Sequence, residues 1–387
     1  MGSQKLLQIL KCILNEQPLS DCSIAPEDWQ HLIWLAKRHN IMGMLGCTLP
    51  LLSEQQMPPQ KERDSLRRQA MAMAMVNSNQ IHELGRIQDA FEQQGIWNMP
   101  LKGCTTRQLY PLPDMRTMND LDILCKPSQQ RQIRKIMSQL GYADFQEGRK
   151  HDVYSKKPYI RIEMHREMVP ARSPFSKYYR DIWNRCMPMS GCRYNCQLSA
   201  TDAFVYNLVH LAEHLEEGGV GIRFITDVYA FDNSPTVDRE QLHSTLESLG
   251  LWQLYCNVSA LAQQWFSLNP PTLEQSQAQL IERFGHFVLA GGLFGSAETG
   301  SALAVQKEGR VRYFLKACFP GYREMCSMYS WLEKWPFLLP WSWFLRGVRS
   351  LLYRRKSIKK QFHVSATGDV QKGNEIRQLY HDIGYDR

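Results

Sequence analysis

No stretch of the 387-residue chain supplies the ~20 consecutive apolar residues that a membrane-spanning helix requires. Its most apolar late segment, Trp335 to Leu345, is broken by Pro336 and Pro340, so no stable membrane insertion is expected. The amino terminus, Met1 to Ile13, carries Lys5 and Lys11 among mixed residues. It lacks an apolar run followed by a small-residue cleavage site, so no export signal is expected. The cysteines, at 12, 22, 47, 104, 125, 186, 192, 196, 256, 318 and 326, are odd in number and include no Cys-x-x-Cys pair. That pattern fits reduced thiols in a cytoplasmic protein. Internal repeats are missing as well.

What is present is enough apolar residue, 43%, to build two or three domains' worth of core, which excludes disorder of the whole. The net charge of +8 is modest, but Arg346, Arg349, Arg354, Arg355, Lys356, Lys359 and Lys360 gather together. A solvated helix face at a domain end is the expectation there, ahead of a nucleic-acid or lipid contact. Just before it stand Trp331, Trp335, Phe337, Trp341, Trp343 and Phe344. These are expected to pack under the preceding helices, which leaves only the cations facing water and the protein unbound to anionic vesicles.

From Lys5 to Glu92 the pattern is helical, with Trp29, Ile33 and Ala36 at helical spacing, and Glu62 to Gln94 is one proline-free helix ended at Gly95. Ile96 to Leu101 and Leu121 to Cys125 then suit buried strands, separated by a short helix from Cys104 to Tyr110 and a turn-rich loop. Pro127 to Leu140 is an amphipathic helix, and Asp152 to Tyr154 and Tyr159 to Met164 are two further strands. Helical patterns return at Thr201 to Glu217 and Ile225 to Phe231, continue largely so from Arg310, and give way to a polar tail at Ser365 to Asn374. The expected class is α+β. A small mixed-sheet core at 95–195 is flanked by helical regions at 1–94, 196–300 and 301–387.

Asp120 and Asp122 stand two residues apart at the start of an apolar strand, so their side chains share a face, roughly 7 Å apart along the backbone. Two buried like charges resist joint ionisation, and a divalent cation resolves the conflict. Glu163 alternates with apolar neighbours on a later strand and completes the set if the strands are adjacent. Three carboxylates suit magnesium, which keeps waters and takes substrate phosphate oxygens, and so point to phosphoryl or nucleotidyl chemistry. Upstream, Leu101-Lys102-Gly103-Cys104 turns a strand into a helix, where free N–H groups can cradle phosphate. Lys102 and Arg116 would add charge around the same ligand; a tight turn with two solvated cations reads equally well on these residues alone.

This ordered set resembles the polymerase-beta-like nucleotidyltransferase superfamily. More narrowly it looks like an uncharacterised bacterial nucleotidyltransferase family, through Leu101-Lys102-Gly103, Leu109-Tyr110-Pro111, Arg116, Asp120-Leu121-Asp122-Ile123-Leu124 and Ile162-Glu163-Met164-His165. The resemblance implies a magnesium-dependent transfer of a nucleoside monophosphate from a nucleoside triphosphate to a hydroxyl of a small-molecule, peptide, protein or RNA acceptor. Asp120, Asp122 and Glu163 would bind metal, and Lys102, Gly103, Cys104, Arg116, His165, His210, His214 and Asp227 would line the nucleotide. The superfamily usually has serine after its glycine; Cys104 stands there in this chain.

His210 and His214, four apart on one helix, lack the glutamate of a zinc-protease helix and read as structural, although the resemblance places their helix over the nucleotide. Cys186, Cys192 and Cys196 match no common zinc spacing. His165 shares a strand face with Glu163 and is expected to orient it. Two rival functions stand beside the transferase. One is a degenerate nucleotide-binding or scaffolding protein, suggested by the Lys-Gly-Cys turn. The other is a nucleic-acid-binding module, which rests only on the mild basic charge and is not favoured.

Overall fold

The computed structural model describes residues 2–19, 23–148, 151–158, 160–353 and 370–386. Cys22, Tyr159, Arg354, Arg355, Lys356, Lys359 and Lys360, and residues 365–369 of the expected tail, lie outside the described residues. The chain forms two compact units, one of Met1–Ala212 with Gly221–Leu293, the other of Glu213–Val220 with Phe294–Arg387.

The first unit is α+β. Helices α1 (Gly2–Leu14), α2 (Asp28–Arg38) and α3 (Met42–Cys47) precede the 34-residue α4 (Gln60–Gln93). Pro59 flanks the start of α4, and Gly95, at φ +70°, turns the chain away just past its end. Five strands follow, β1 (Asn98–Pro100), β2 (Leu121–Cys125), β3 (Asp144–Gln146), β4 (His151–Lys156) and β5 (Ile160–His165), with α5 (Gly103–Thr106) and α6 (Gln130–Gln139) between them. The sheet order is β1-β2-β5-β4-β3, and β2 runs parallel to β5 while the other pairs are antiparallel. β3 is an addition to the sequence expectation; its Asp-Phe-Gln is too short and polar to announce a strand and survives as an edge beside β4.

Strand alternation decides which face does what. Leu121, Ile123 and Cys125 of β2 and Ile160, Ile162 and Met164 of β5 point to one side, where α4 supplies Leu84, Ile87 and Phe91 and α6 supplies Ile133, Ile136 and Met137. Burial of these side chains contributes about 1.5–3 kcal/mol each before entropy, enough to seal that face completely. Every second residue then faces the other way, which puts Asp122, Glu163 and His165 together. The remainder of the unit is the short α7 (Ser176–Tyr179) and α8 (Ile182–Arg185), a two-stranded ribbon of β6 (Met187–Pro188) and β7 (Cys196–Gln197), and the helices α9 (Ala200–Glu217, to Ala212 in this unit), α10 (Ile222–Asp232), α11 (Arg239–Ser248), α12 (Trp252–Phe266) and α13 (Gln275–Ala290).

The second unit contains α14 (Ala297–Glu308), α15 (Arg310–Cys318), α16 (Tyr322–Met328), α17 (Leu339–Tyr353) and a closing helix, Val370–Asp382. Two sequence expectations are corrected here. The polar tail is helical from Val370, because Ile376, Leu379, Tyr380 and Ile383 recur at helical spacing and are buried, with Tyr380 Oη donating to the Leu215 carbonyl at 2.9 Å. The late aromatics do not all pack inward: Trp335, Phe337, Trp341 and Phe344 are 53%, 70%, 54% and 58% exposed. Pro336 opens a short turn, Pro336–Leu338, ahead of α17, and Pro340 sits in the first turn of α17, so Trp335 and Phe337 do not share one helical face with Trp341 and Phe344.

One buried group gives the first unit a pH signature. His39, fully buried after α2, accepts the Ile222 N–H at 3.3 Å, and burial pushes its pKa down from 6.5 to about 4. The unfolded chain therefore binds a proton that the folded one refuses. His39 contributes stability that is fully present above pH 6.5 and is lost as pH falls toward 4. Urea titrations should show the His39→Gln variant losing less stability than wild type across that window; equal slopes would remove His39 from the acid response.

Candidate active site

The turn between β1 and α5 is fixed by backbone before any side chain is considered. The Leu101 N–H donates to the Asp122 carbonyl at 2.9 Å, which ties the turn to β2. Lys102 takes φ +49° as the residue before α5, and its carbonyl receives the hydroxyls of Thr105 and Thr106, each at 3.0 Å. A Cβ on Gly103 would stand 2.9 Å from Met118 Cγ, so any larger residue must push the Met118 side chain aside. Cys104 is buried behind it, its thiol pushed up to about 12 by burial and by Asp122, and therefore neutral.

The parallel β2–β5 register places Asp122 directly beside Glu163. Asp122 Oδ1 accepts Lys102 Nζ at 2.9 Å and lies 2.6 Å from His165 Nε2. Glu163 accepts Arg161 through Nη2 at 2.9 Å and Nε at 3.2 Å, and its Oε2 is 3.2 Å from His151 Nε2. His165, expected to orient Glu163, stands 3.9 Å from it and has its short contact with Asp122 instead. Burial works against charge on Asp122, but Lys102 and His165 outweigh it and hold the carboxyl well below the usual range. Lys102 is itself held well above an ordinary lysine, since Tyr206 and Asp122 overcome the burial that opposes its charge. Asp120, half-buried, is pushed the other way, up to about 6, by burial and by the charges of Asp122 and Glu163.

Asp227 projects from α10 into a buried bidentate pair with Arg116, Nε to Oδ1 at 2.7 Å and Nη2 to Oδ2 at 2.8 Å. Tyr110 Oη donates to the same Oδ1 at 2.6 Å and burial raises its pKa well above 10. Arg116 also donates to the Thr117 carbonyl at 2.8 Å, so its fork is committed to the protein. His210 lies between the rings of Tyr206 and Phe224, 6.5 and 5.6 Å centroid to centroid. His214 belongs to the second unit, beside Phe294 at 4.7 Å and Glu217 at 3.3 Å. Lys102, Asp120, Asp122, Glu163 and His165 thus come together, and Arg116 and Asp227 clamp each other.

Three side chains were missed from the sequence. His151 and Arg161 bracket Glu163; His151 pairs with His165 across β4 and β5, a register that spacing does not reveal. Arg223 stands one helical turn before Asp227, a spacing that does put both on one face. It is buried, its Nε has no hydrogen-bond partner, and burial together with the charge of Arg116 pushes its pKa down to about 9. A guanidinium in that state is short of an anion.

Metal fits this arrangement in two ways. Asp120, Asp122 and Glu163 form a crowded carboxylate set whose mutual repulsion shows in Asp120. Separately, His151, Glu163 and His165 bring one ligand atom each within 4.8 Å of one another, a nitrogen-rich set that suits softer ions than magnesium.

A protein-family model described as uncharacterised nucleotidyltransferase matches residues 25–267, well over half of the chain and all of this site. The chain belongs to that family. Searches against curated proteins and solved structures find no match to either. As a nucleotidyltransferase it is a transferase.

Around this nucleotidyltransferase's site, the Arg116–Asp227 pair should behave as a structural clamp. Asp227→Ala leaves a buried guanidinium and the Tyr110 hydroxyl without their acceptor and is expected to destabilise by about 3–5 kcal/mol. Asp227→Leu combined with Arg116→Met should recover most of that loss in a denaturant double-mutant cycle. Simple additivity of the single effects would show that the pair is not coupled.

Proposed function

We propose that this nucleotidyltransferase uses magnesium, held by Asp120, Asp122 and Glu163, to transfer a nucleoside monophosphate from a nucleoside triphosphate to an acceptor hydroxyl. The observation that carries the reading is the side-by-side placement of Asp122 and Glu163, with Asp120 raised to about 6 by burial and by their charges. Three carboxylates against the two fixed cations Lys102 and Arg161 leave a net negative face that suits a hard cation with oxygen ligands. Magnesium bound there would supply Lewis-acid stabilisation of the α-phosphate and lower the pKa of the attacking hydroxyl.

The chain's own residues do the rest by position and charge. Lys102, already at the carboxylates, is a point charge for the phosphates as they arrive at the start of α5. Arg223, buried and short of an anion, is a second. Glu163 is held by Arg161 and His151 in one orientation and takes the proton of the acceptor hydroxyl. The hydroxyl oxygen bonds to the α-phosphorus, and the bond from that phosphorus to pyrophosphate breaks. His165 keeps Asp122 aligned.

Pyrophosphate release with each of the four ribonucleoside triphosphates, in magnesium and after its removal with a chelator, tests the reaction. Asp120→Asn and Asp122→Asn should each reduce release by about a hundredfold or more, because each deletes a ligand charge at constant size. Unchanged far-ultraviolet circular dichroism would show the fold intact. Normal turnover in either variant sinks the carboxylate assignment.

For the phosphate contacts the readout is nucleotide affinity by calorimetry. Lys102→Ala and Arg223→Ala should each weaken triphosphate binding by about tenfold, the order expected for one charged contact. Cys104→Ser should leave it unchanged, since a neutral buried thiol has no charge to contribute. Triphosphate affinity indifferent to both cation deletions would place the phosphates elsewhere.

A further inference from the structure

The exposed aromatics of the second unit call for an explanation that the transferase site does not provide. Within α17, Trp343 faces inward, its indole N–H donating to the Pro320 carbonyl at 2.9 Å and its ring against Phe319 at 5.3 Å. Trp341 and Phe344 face outward and stack on each other at 5.2 Å, and just upstream Trp335 and Phe337 meet edge to face at 5.8 Å, also in the open. Val348 and Arg349 continue the exposed side of α17, and Lys334 is exposed before Trp335. Large aromatics left in water at this density are costly unless something covers them.

Charge says what covers them. Between residues 331 and 360 the sequence holds eight lysines and arginines, Lys334, Arg346, Arg349, Arg354, Arg355, Lys356, Lys359 and Lys360, against one acidic residue, Glu333. That is +7 of the chain's +8. A second copy of the chain meeting this face symmetrically would set Lys334 and Arg349 against their own copies. Single-stranded nucleic acid stacks successive bases on ring faces, and the edge-to-face Trp335 and Phe337 do not present a row of parallel ones. An anionic bilayer satisfies both features at once, since indole and phenyl rings partition to the headgroup level and cations lie against lipid phosphate and carboxylate. No helix among the described residues is long and apolar enough to cross a membrane, so the contact is one that lies on the surface.

We propose that Trp335, Phe337, Trp341 and Phe344, flanked by Lys334 and Arg349, form a peripheral docking face for an anionic lipid surface. This reverses the sequence expectation of no vesicle binding, because that expectation required the aromatics to be packed inward.

The test is flotation of the full chain with phosphatidylcholine vesicles, alone or containing phosphatidylserine. Binding is expected to the anionic vesicles only, and to fall by about tenfold between low and high salt as the charges are screened. The combined change Trp335→Ser, Phe337→Ser, Trp341→Ser and Phe344→Ser should reduce it by at least about tenfold. These side chains face water, so pyrophosphate release by the variant should match wild type. In the unaltered protein, anionic vesicles with brominated acyl chains should quench tryptophan fluorescence, a readout that needs no variant. Absence of flotation and quenching overturns the proposal. So does undiminished binding by the four-fold variant, concentration-dependent dimerisation that the same changes abolish, or salt-sensitive binding to single-stranded RNA in place of vesicles.

Discussion

Two carboxylates on neighbouring parallel strands, facing the same way, repel each other, and most of the site's architecture is the protein's answer to that repulsion. In register, Asp122 and Glu163 cannot drift apart without breaking the strand pairing itself. Lys102 and His165 gather on Asp122, Arg161 and His151 on Glu163, and Asp120, pushed up by burial and then by the charges of Asp122 and Glu163, holds its proton up to about 6. Such a cluster is stable only because Lys102 and Arg161 set two fixed cations against its three carboxylates. A polar face arranged this way is wasteful for folding alone and useful to an enzyme that handles phosphates.

The rest of the first unit holds that face still. On the opposite side, α4 and α6 seal the sheet with apolar side chains, so the strands have no freedom to slip by one residue, which would turn every carboxylate into the core. At one edge the Arg116–Asp227 clamp, reinforced by Tyr110, ties the loop before β2 to α10. That clamp gives Tyr110, Arg116 and Asp227 a structural role whatever else they touch. It also sets Arg223 beside Arg116, where a second buried guanidinium is left with its charge incompletely answered.

Much of this was legible in the sequence, for reasons that differ residue by residue. The strand at Leu121–Cys125 and the alternation of Ile160, Ile162 and Met164 with Arg161, Glu163 and His165 show in periodicity, so both carboxylate strands and their faces could be read. The long α4 was legible from its lack of proline. What periodicity cannot carry is pairing. Nothing in the spacing of Asp122 and His165 says that the imidazole lands on the first carboxylate and not on its strand neighbour, and nothing says that Arg116 finds Asp227, 111 positions away. The aromatics near the carboxyl end failed for another reason: hydrophobicity reports a preference for burial and does not say whether the covering surface belongs to the same chain.

Lys102 occupies a backbone conformation, φ +49° and ψ −122°, that glycine adopts freely and lysine does not. Holding a β-carbon there stores roughly 1–3 kcal/mol of strain, which the tie to β2 and the Thr105 and Thr106 hydroxyls must offset. Lys102→Gly would relieve that strain and at the same time strip the buried Asp122 carboxylate of its ammonium, and the second loss is the larger. The turn therefore keeps a lysine in a glycine's conformation because the charge it delivers outweighs the backbone discomfort of holding it there.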